Sequence, residues 1–278
     1  MKPLPIPTAN AFVSGFTQEP AVANLGVQDF LNTQTSNIFK TGTQQFNELR
    51  YCLLRESEQH LLMAINCYAR ALETLRAGSS YWSVVSLYYA AFFAAKSILG
   101  NHGCWISGAK SWIEVTNSSP TNLQLQFRQS QYTCPYSGSH QVTWCAYYNA
   151  LKSLSPFLTT QHALLAKTPV NGKETWLIDV RKDLNYSPLE ALQACRDFNT
   201  NFNANNVPSF IGGKSQTMLK TSQAIVFFAK ETAIRTGLST DIWGPSASRS
   251  DYSAKNILAQ QHAALSSYYN AQLPSLLF

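Results

Sequence analysis

From residue 44 to 77 apolar positions recur at helical spacing. Phe46, Leu49, Leu53, Leu61, Ile65, Tyr68, Leu72 and Leu75 form one stripe, with Glu48, Arg55, Glu58, Arg70 and Glu73 opposite. The pattern predicts one long amphipathic helix. Gly78 follows where a helix end favours a left-handed residue. Ser79 and Ser80 suit the N-cap of a second helix running to residue 99, after which Gly100 and Gly103 break the chain. So short a connection predicts an antiparallel helical hairpin. Of the 19 residues 81–99, 15 are apolar, the exceptions being Ser83, Ser86, Lys96 and Ser97. Such a run approaches the ~20 residues that cross a bilayer. Yet it holds Tyr81, Tyr88, Tyr89, several alanines and a lysine near its end, with no basic flank to orient it. The reading is a central helix covered on several sides, with no membrane contact.

Beyond residue 100 the period changes. Residues 112–116 read as a strand, 117–122 as a turn, and 123–127 alternate apolar and polar as a strand with one buried face. Together they predict a small β-hairpin inserted into a helical body. Helical pattern resumes at 141–154, ahead of Pro156, and again near Trp176. Ser187-Pro188-Leu189-Glu190 forms a capping box with proline at the first helical position. Leu189, Leu192, Cys195, Phe198 and Phe202 would continue that helix's apolar face. Residues 215–236, before Gly237, and 251–272, before Pro274, read as further helices. Residues 1–40, punctuated by Pro3, Pro5, Pro7 and Pro20, read as an extended N-terminal arm. The expectation is a mainly α chain: the arm, then one helical domain over 41–278 with an insertion at about 101–175.

Composition changes the picture little. Among 278 residues 45% are apolar and only 13% charged, and 19 Asn and 18 Gln replace the missing charges. This excludes a charged disordered tail, a charge-laced coiled coil and a collagen-like rod. The net charge is +6, and residues 128–278 carry 13 basic against 8 acidic groups. A mild positive field favours phosphates and acidic partners within the reach that screening allows. Six cysteines in a chain of this size do not suggest a disulfide framework. Pro3, Pro5 and Pro7 leave no apolar core for a signal peptide, so a cytoplasmic location is expected.

Two segments carry a family resemblance. Residues 80–99, with the Tyr88-Tyr89 pair, small residues, Phe92, Phe93 and a terminal Leu99, resemble the second helix of HEPN domains, the higher-eukaryote and prokaryote nucleotide-binding family. Arg181-Lys182-Asp183-Leu184-Asn185-Tyr186, ahead of the capped helix, resembles the arginine-containing motif before a later HEPN helix. The likeness covers roughly 44–99 and 176–206 and implies an antiparallel HEPN-like helical bundle with extra C-terminal helices. In HEPN ribonucleases the motif is Arg, four to six residues, then His, and two domains usually pair over one cleft. The arginine holds the scissile phosphate and the histidine moves a proton. Here Tyr186 stands where the histidine would be. With a pKa near ~10, a phenol is a poor base at neutral pH, although its hydroxyl can donate a hydrogen bond.

The resemblance therefore implies an RNA- or nucleotide-associated binding and assembly module, in a bacterial toxin–antitoxin or antiviral defence setting. It would work as a homodimer or larger assembly, or beside a nucleotidyltransferase or other effector, and needs no cofactor. Arg181, Lys182 and Lys214 would bind phosphate. The alternatives are a metal-independent endoribonuclease with a composite dimer site, in which Arg181, Asn185 and Tyr186 act, and a structural scaffold. A structural reading pairs Arg181 with Asp179, Asp183 or Glu190 and packs Tyr186 beside the next helix. His102, Cys104, Cys134, His140 and Cys145 are zinc-type ligand residues, but no C-x-x-C pair accompanies them. Gly212-Gly213-Lys214-Ser215 matches only the end of a phosphate loop, because residue 208 is proline, and reads as a turn feeding a helix.

Overall fold

In the computed structural model of the chain, residues 1–14, 20–154, 161–196, 198 and 212–236 are described. In chain order the elements are α1 (Ile6–Ser14), α2 (Val27–Asn32), β1 (Ile38–Lys40), α3 (Gln44–Arg76), α4 (Ser80–Asn101), β2 (Trp105–Ser107), β3 (Ser111–Asn117) and β4 (Gln124–Arg128). They continue with α5 (Ser139–Ser153), α6 (Gln161–Lys167), α7 (Trp176–Tyr186), α8 (Pro188–Arg196) and α9 (Gly213–Thr236). The fold is mainly α, with one small antiparallel sheet. The expected helix at 251–272 and Phe202 lie outside the described residues.

Contacts divide the chain into two compact units, and α3, α4 and α9 contribute residues to each. The first unit holds the described residues within 1–60, 95–159 and 231–245. Its sheet runs β1-β4-β3-β2, with every neighbour antiparallel. The expected hairpin is β3–β4, in register from Trp112 opposite Arg128 to Val115 opposite Leu125. Alternation buries Ile113, Val115, Leu125 and Phe127 on one face. The strands β1 and β2, three residues each, widen it beyond what the sequence pattern showed. Behind the sheet α5 buries Trp144, Tyr147 and Tyr148, whose rings meet at centroid distances of 5.0–5.9 Å.

The N-terminal segment is not an extended arm. Pro7 falls in the first turn of α1, where its missing N–H costs nothing and its fixed φ favours the helix. Leu4, Ala9, Phe12, Val27, Phe30 and Phe39 are buried, and Phe12 packs edge-on against Phe46 of α3 at 6.3 Å. Leu4 N donates to His102 O, and Val115 N donates to Lys2 O.

The second unit holds the described residues within 61–94 and 160–230. Gly78, at φ +82°, ends α3 in a Schellman turn: Gly78 N bonds Leu75 O and Ser79 N bonds Thr74 O. The chain reverses into α4, and Ser83 Oγ donates to Ala71 O. Leu61, Ile65, Tyr68, Leu72 and Leu75 are buried as the stripe predicted. Of the face expected to be polar, Arg55 and Glu58, both in the first unit, are buried instead. Arg55 stands over the Tyr51 ring and donates to Leu25 O, just ahead of α2. Although α4 is long and apolar enough to cross a membrane, 78% of its apolar window is buried within the protein.

In the first unit α3 and α4 approach closely at Gly100. A Cβ there would stand 2.8 Å from Ser57 Cβ. Ser57 Oγ is held by Ser97 O at 2.7 Å and Asn101 at 3.0 Å, so it cannot retreat. Alanine favours a helix over glycine by up to ~1 kcal/mol, but overpacking costs ~1–3 kcal/mol. The clash should win. Gly100→Ala is expected to lower Tm by about 2–4 °C in a thermal melt; an unchanged or higher Tm would show that the helices part without cost.

Candidate functional site around Arg181

The helix α7 is amphipathic: Leu177, Ile178, Val180 and Leu184 are buried, while Lys182, Asn185 and Tyr186 face solvent. Arg181 lies between the two faces, partly exposed. Its guanidinium carbon sits 4.9 Å from the centroid of the Tyr88 ring and 5.8 Å from that of Tyr89. One terminal nitrogen donates to Tyr89 Oη at 3.1 Å. Tyr88 is fully buried, so the aromatic platform is fixed by the core of α4. The greasy helix and the motif arginine thus share one unit and touch.

The carboxylates nearest in sequence do not take this charge. Asp179 pairs with Lys173 at 2.8 Å. Asp183 and Glu190 both pair with Lys214 Nζ at 3.2 Å. Among the described residues no carboxylate bonds Arg181, whose buried Nε also has no hydrogen-bond partner. The expected pairing of Arg181 with Asp179, Asp183 or Glu190 is therefore replaced by π faces and one phenol oxygen. Guanidinium tolerates this because it is delocalised and weakly hydrated.

Lys214 stands at the start of α9, on the turn that leads into it. The hydrogen bonds to Asp183 and Glu190 raise its pKa, and the same two carboxylates already balance its charge. Lys182 is exposed. Tyr186 is 80% exposed rather than packed beside the next helix. Neither Asn185 nor Tyr186 bonds Arg181, so the proposed trio is not assembled around one point. Ser187 leads into α8, its carbonyl accepting from Ala191 N. Leu189 and Leu192 are 73% and 48% exposed and Cys195 is exposed, so the apolar face expected to be buried is open.

The zinc-type residues are engaged separately. His102 Nδ1 bonds Leu4 O at 2.7 Å, Cys104 Sγ bonds Lys2 O, Cys134 Sγ bonds Tyr136 O, and Asn149 donates to Cys145 Sγ. Burial pushes the Cys104 thiol up, away from the thiolate that a metal needs. Among the described residues no three His, Cys, Asp or Glu gather as ligands.

In the first unit a small pocket escaped the sequence reading. Glu56 and His60 of α3 and Lys96 of α4 line it with Trp105 and Ile106 of β2. Glu56 accepts from Trp105 Nε1 at 3.0 Å and Val27 N at 3.3 Å, and stands 4.0 Å from Lys96 Nζ. Burial, then repulsion from Lys96, lowers the His60 pKa to about 3. Burial also lowers the Lys96 pKa. Lys96, Trp105 and Ile106 lie far along the chain from Glu56 and His60, so no local motif announced the pocket.

No family model, curated protein or solved structure matches this chain.

Burial lowers the His102 pKa to about 4 against an ordinary 6.5. The unfolded chain thus binds a proton that the folded chain refuses, and stability should fall as pH drops from 6.5 towards 4. His102→Gln preserves a donor for Leu4 O and removes the titration. Denaturant unfolding at stepped pH should give a shallower acid slope for the variant. Identical slopes would mean that His102 titrates alike folded and unfolded.

Proposed function

We propose that the chain is a HEPN-like module that binds RNA or nucleotides through phosphate, with Arg181 as the phosphate-holding group. The observation that carries this is the guanidinium standing on Tyr88 and Tyr89, with no carboxylate bonding it among the described residues, while its acidic neighbours are occupied by Lys173 and Lys214. An anion meeting it displaces no internal ion pair. A charge-assisted fork of N–H donors then faces the phosphate oxygens. The surroundings help: residues 61–94 and 160–230 carry ten basic against six acidic groups. The resemblance of residues 80–99 and 181–186 to the HEPN family supports the same reading, with a cytoplasmic setting in bacterial toxin–antitoxin or antiviral defence and assembly with a second copy or an effector.

Binding is favoured over cleavage by one feature. Tyr186, in the place of the motif histidine, is open to solvent, and among the described residues no base bonds it.

Labelled RNA and a nucleoside phosphate test the reading at fixed salt, since such affinities depend on it. Wild type should bind, and Arg181→Ala should lose about tenfold or more in affinity while melting normally. Arg181→Lys should not restore it, because an ammonium lacks the planar fork. RNA should remain intact throughout. Cleavage abolished by Arg181→Ala would instead make the chain a ribonuclease. Binding that is indifferent to Arg181 would leave only a scaffold with ordinary basic charge.

A further inference from the structure

The helix α4 is buried almost all round, yet it keeps one open stripe. Between residues 81 and 94 the residues not buried are Tyr81, Trp82, Ser86, Tyr89 and Phe93. From Trp82 onward their intervals are four, three and four, which places them on one face. Trp82 is 52% exposed, and its indole leans on the Tyr81 ring at 5.2 Å, inclined by 37°. Tyr89 lies seven residues further, about 10 Å along the helix and back on the same side. Its hydroxyl receives the Arg181 hydrogen bond. One face of α4 thus presents a propped, exposed indole and, two turns on, a guanidinium that no carboxylate bonds among the described residues.

We propose that this stripe is a track for single-stranded nucleic acid, with one base stacked on Trp82 and a nearby phosphate held at Arg181. The proposal rests on the phosphate reading of Arg181 and names the form of ligand that the site takes. An indole can meet the face of a base only when that base is unstacked, which selects single strands over duplexes. The rise of ~10 Å from Trp82 to Tyr89 is short enough for one strand to reach both groups. The basic excess of residues 61–94 and 160–230 favours a polyanion over an apolar peptide on the same stripe.

Fluorescence anisotropy with three labelled strands of equal length tests it: oligo(U), oligo(dT) and an abasic deoxyribose-phosphate strand. Each is titrated with wild type, Trp82→Ala, Trp82→Phe and Arg181→Ala. Trp82→Ala should weaken the base-bearing strands about tenfold and leave the abasic strand unchanged. Trp82→Phe, which retains a π face, should recover most of the loss. Arg181→Ala should weaken all three. A Trp82→Ala loss equal on abasic and base-bearing strands, or no loss on any, overturns the stacking. If strands bind and depend on Arg181 but not on Trp82, the stacking falls alone and the indole is assigned to a protein contact. If no strand binds wild type, the Arg181 reading falls with it.

Discussion

The site turns on how a partly buried cation is satisfied by aromatic rings, with no carboxylate bonding it among the described residues. Arg181 lies over two tyrosine rings and gives one hydrogen bond to Tyr89. Contacts of this kind contribute ~0.5–2 kcal/mol, and the hydrogen bond adds ~1 kcal/mol. Against them stands the buried Nε with no partner, a cost of ~1–3 kcal/mol. The two sides nearly cancel, so the arginine is a poor device for stability. An acceptor arriving from outside would use a charge that no carboxylate among the described residues compensates. The arrangement depends on α4, since Tyr88 is held immobile by full burial and Tyr89 lies at the edge of the open stripe.

Much of the helical fold was legible because long periodic segments average out local ambiguity. The α3–α4 hairpin and the β3–β4 pair follow from spacing, from Gly78 and from alternation. The N-terminal segment was misread because prolines both break helices and start them. Pro7 starts one, and what decides the matter is the burial of Leu4 and Phe12, which no local pattern records. The strands β1 and β2 are too short to show a period. Arg55 and Glu58 looked solvent-facing because helical phase alone does not reveal which segments pack on that side of α3; for Arg55 one is the stretch at Leu25. A helix does start at Pro188, but the capping box is not closed, since Ser187 N bonds Asp183 O and Glu190 pairs with Lys214; nor did the motif tell whether Leu189 and Leu192 find cover.

The candidate site was half legible. Arg181 and the Tyr88-Tyr89 pair were both singled out in the sequence, but their mutual contact is tertiary. Sequence proximity suggested Asp179, Asp183 and Glu190 as partners, whereas three-dimensional neighbours gave those carboxylates to Lys173 and Lys214. Lys214, read as a phosphate ligand, has its charge balanced within the fold. The open stripe had a signal that hydropathy hid, because Ser86 and Lys96 interrupt the apolar run at the phase of Trp82, Tyr89 and Phe93.

Proton NMR of the Arg181 side chain addresses the cation-on-tyrosine arrangement most directly. Stacked on Tyr88 and Tyr89, its δ-methylene and Nε–H protons should be shifted upfield by ring currents. A short single-stranded oligonucleotide should then move the guanidinium signals while the ring-current shift persists. Random-coil shifts for those protons, or guanidinium signals indifferent to the oligonucleotide at saturating concentration, would contradict the site described above.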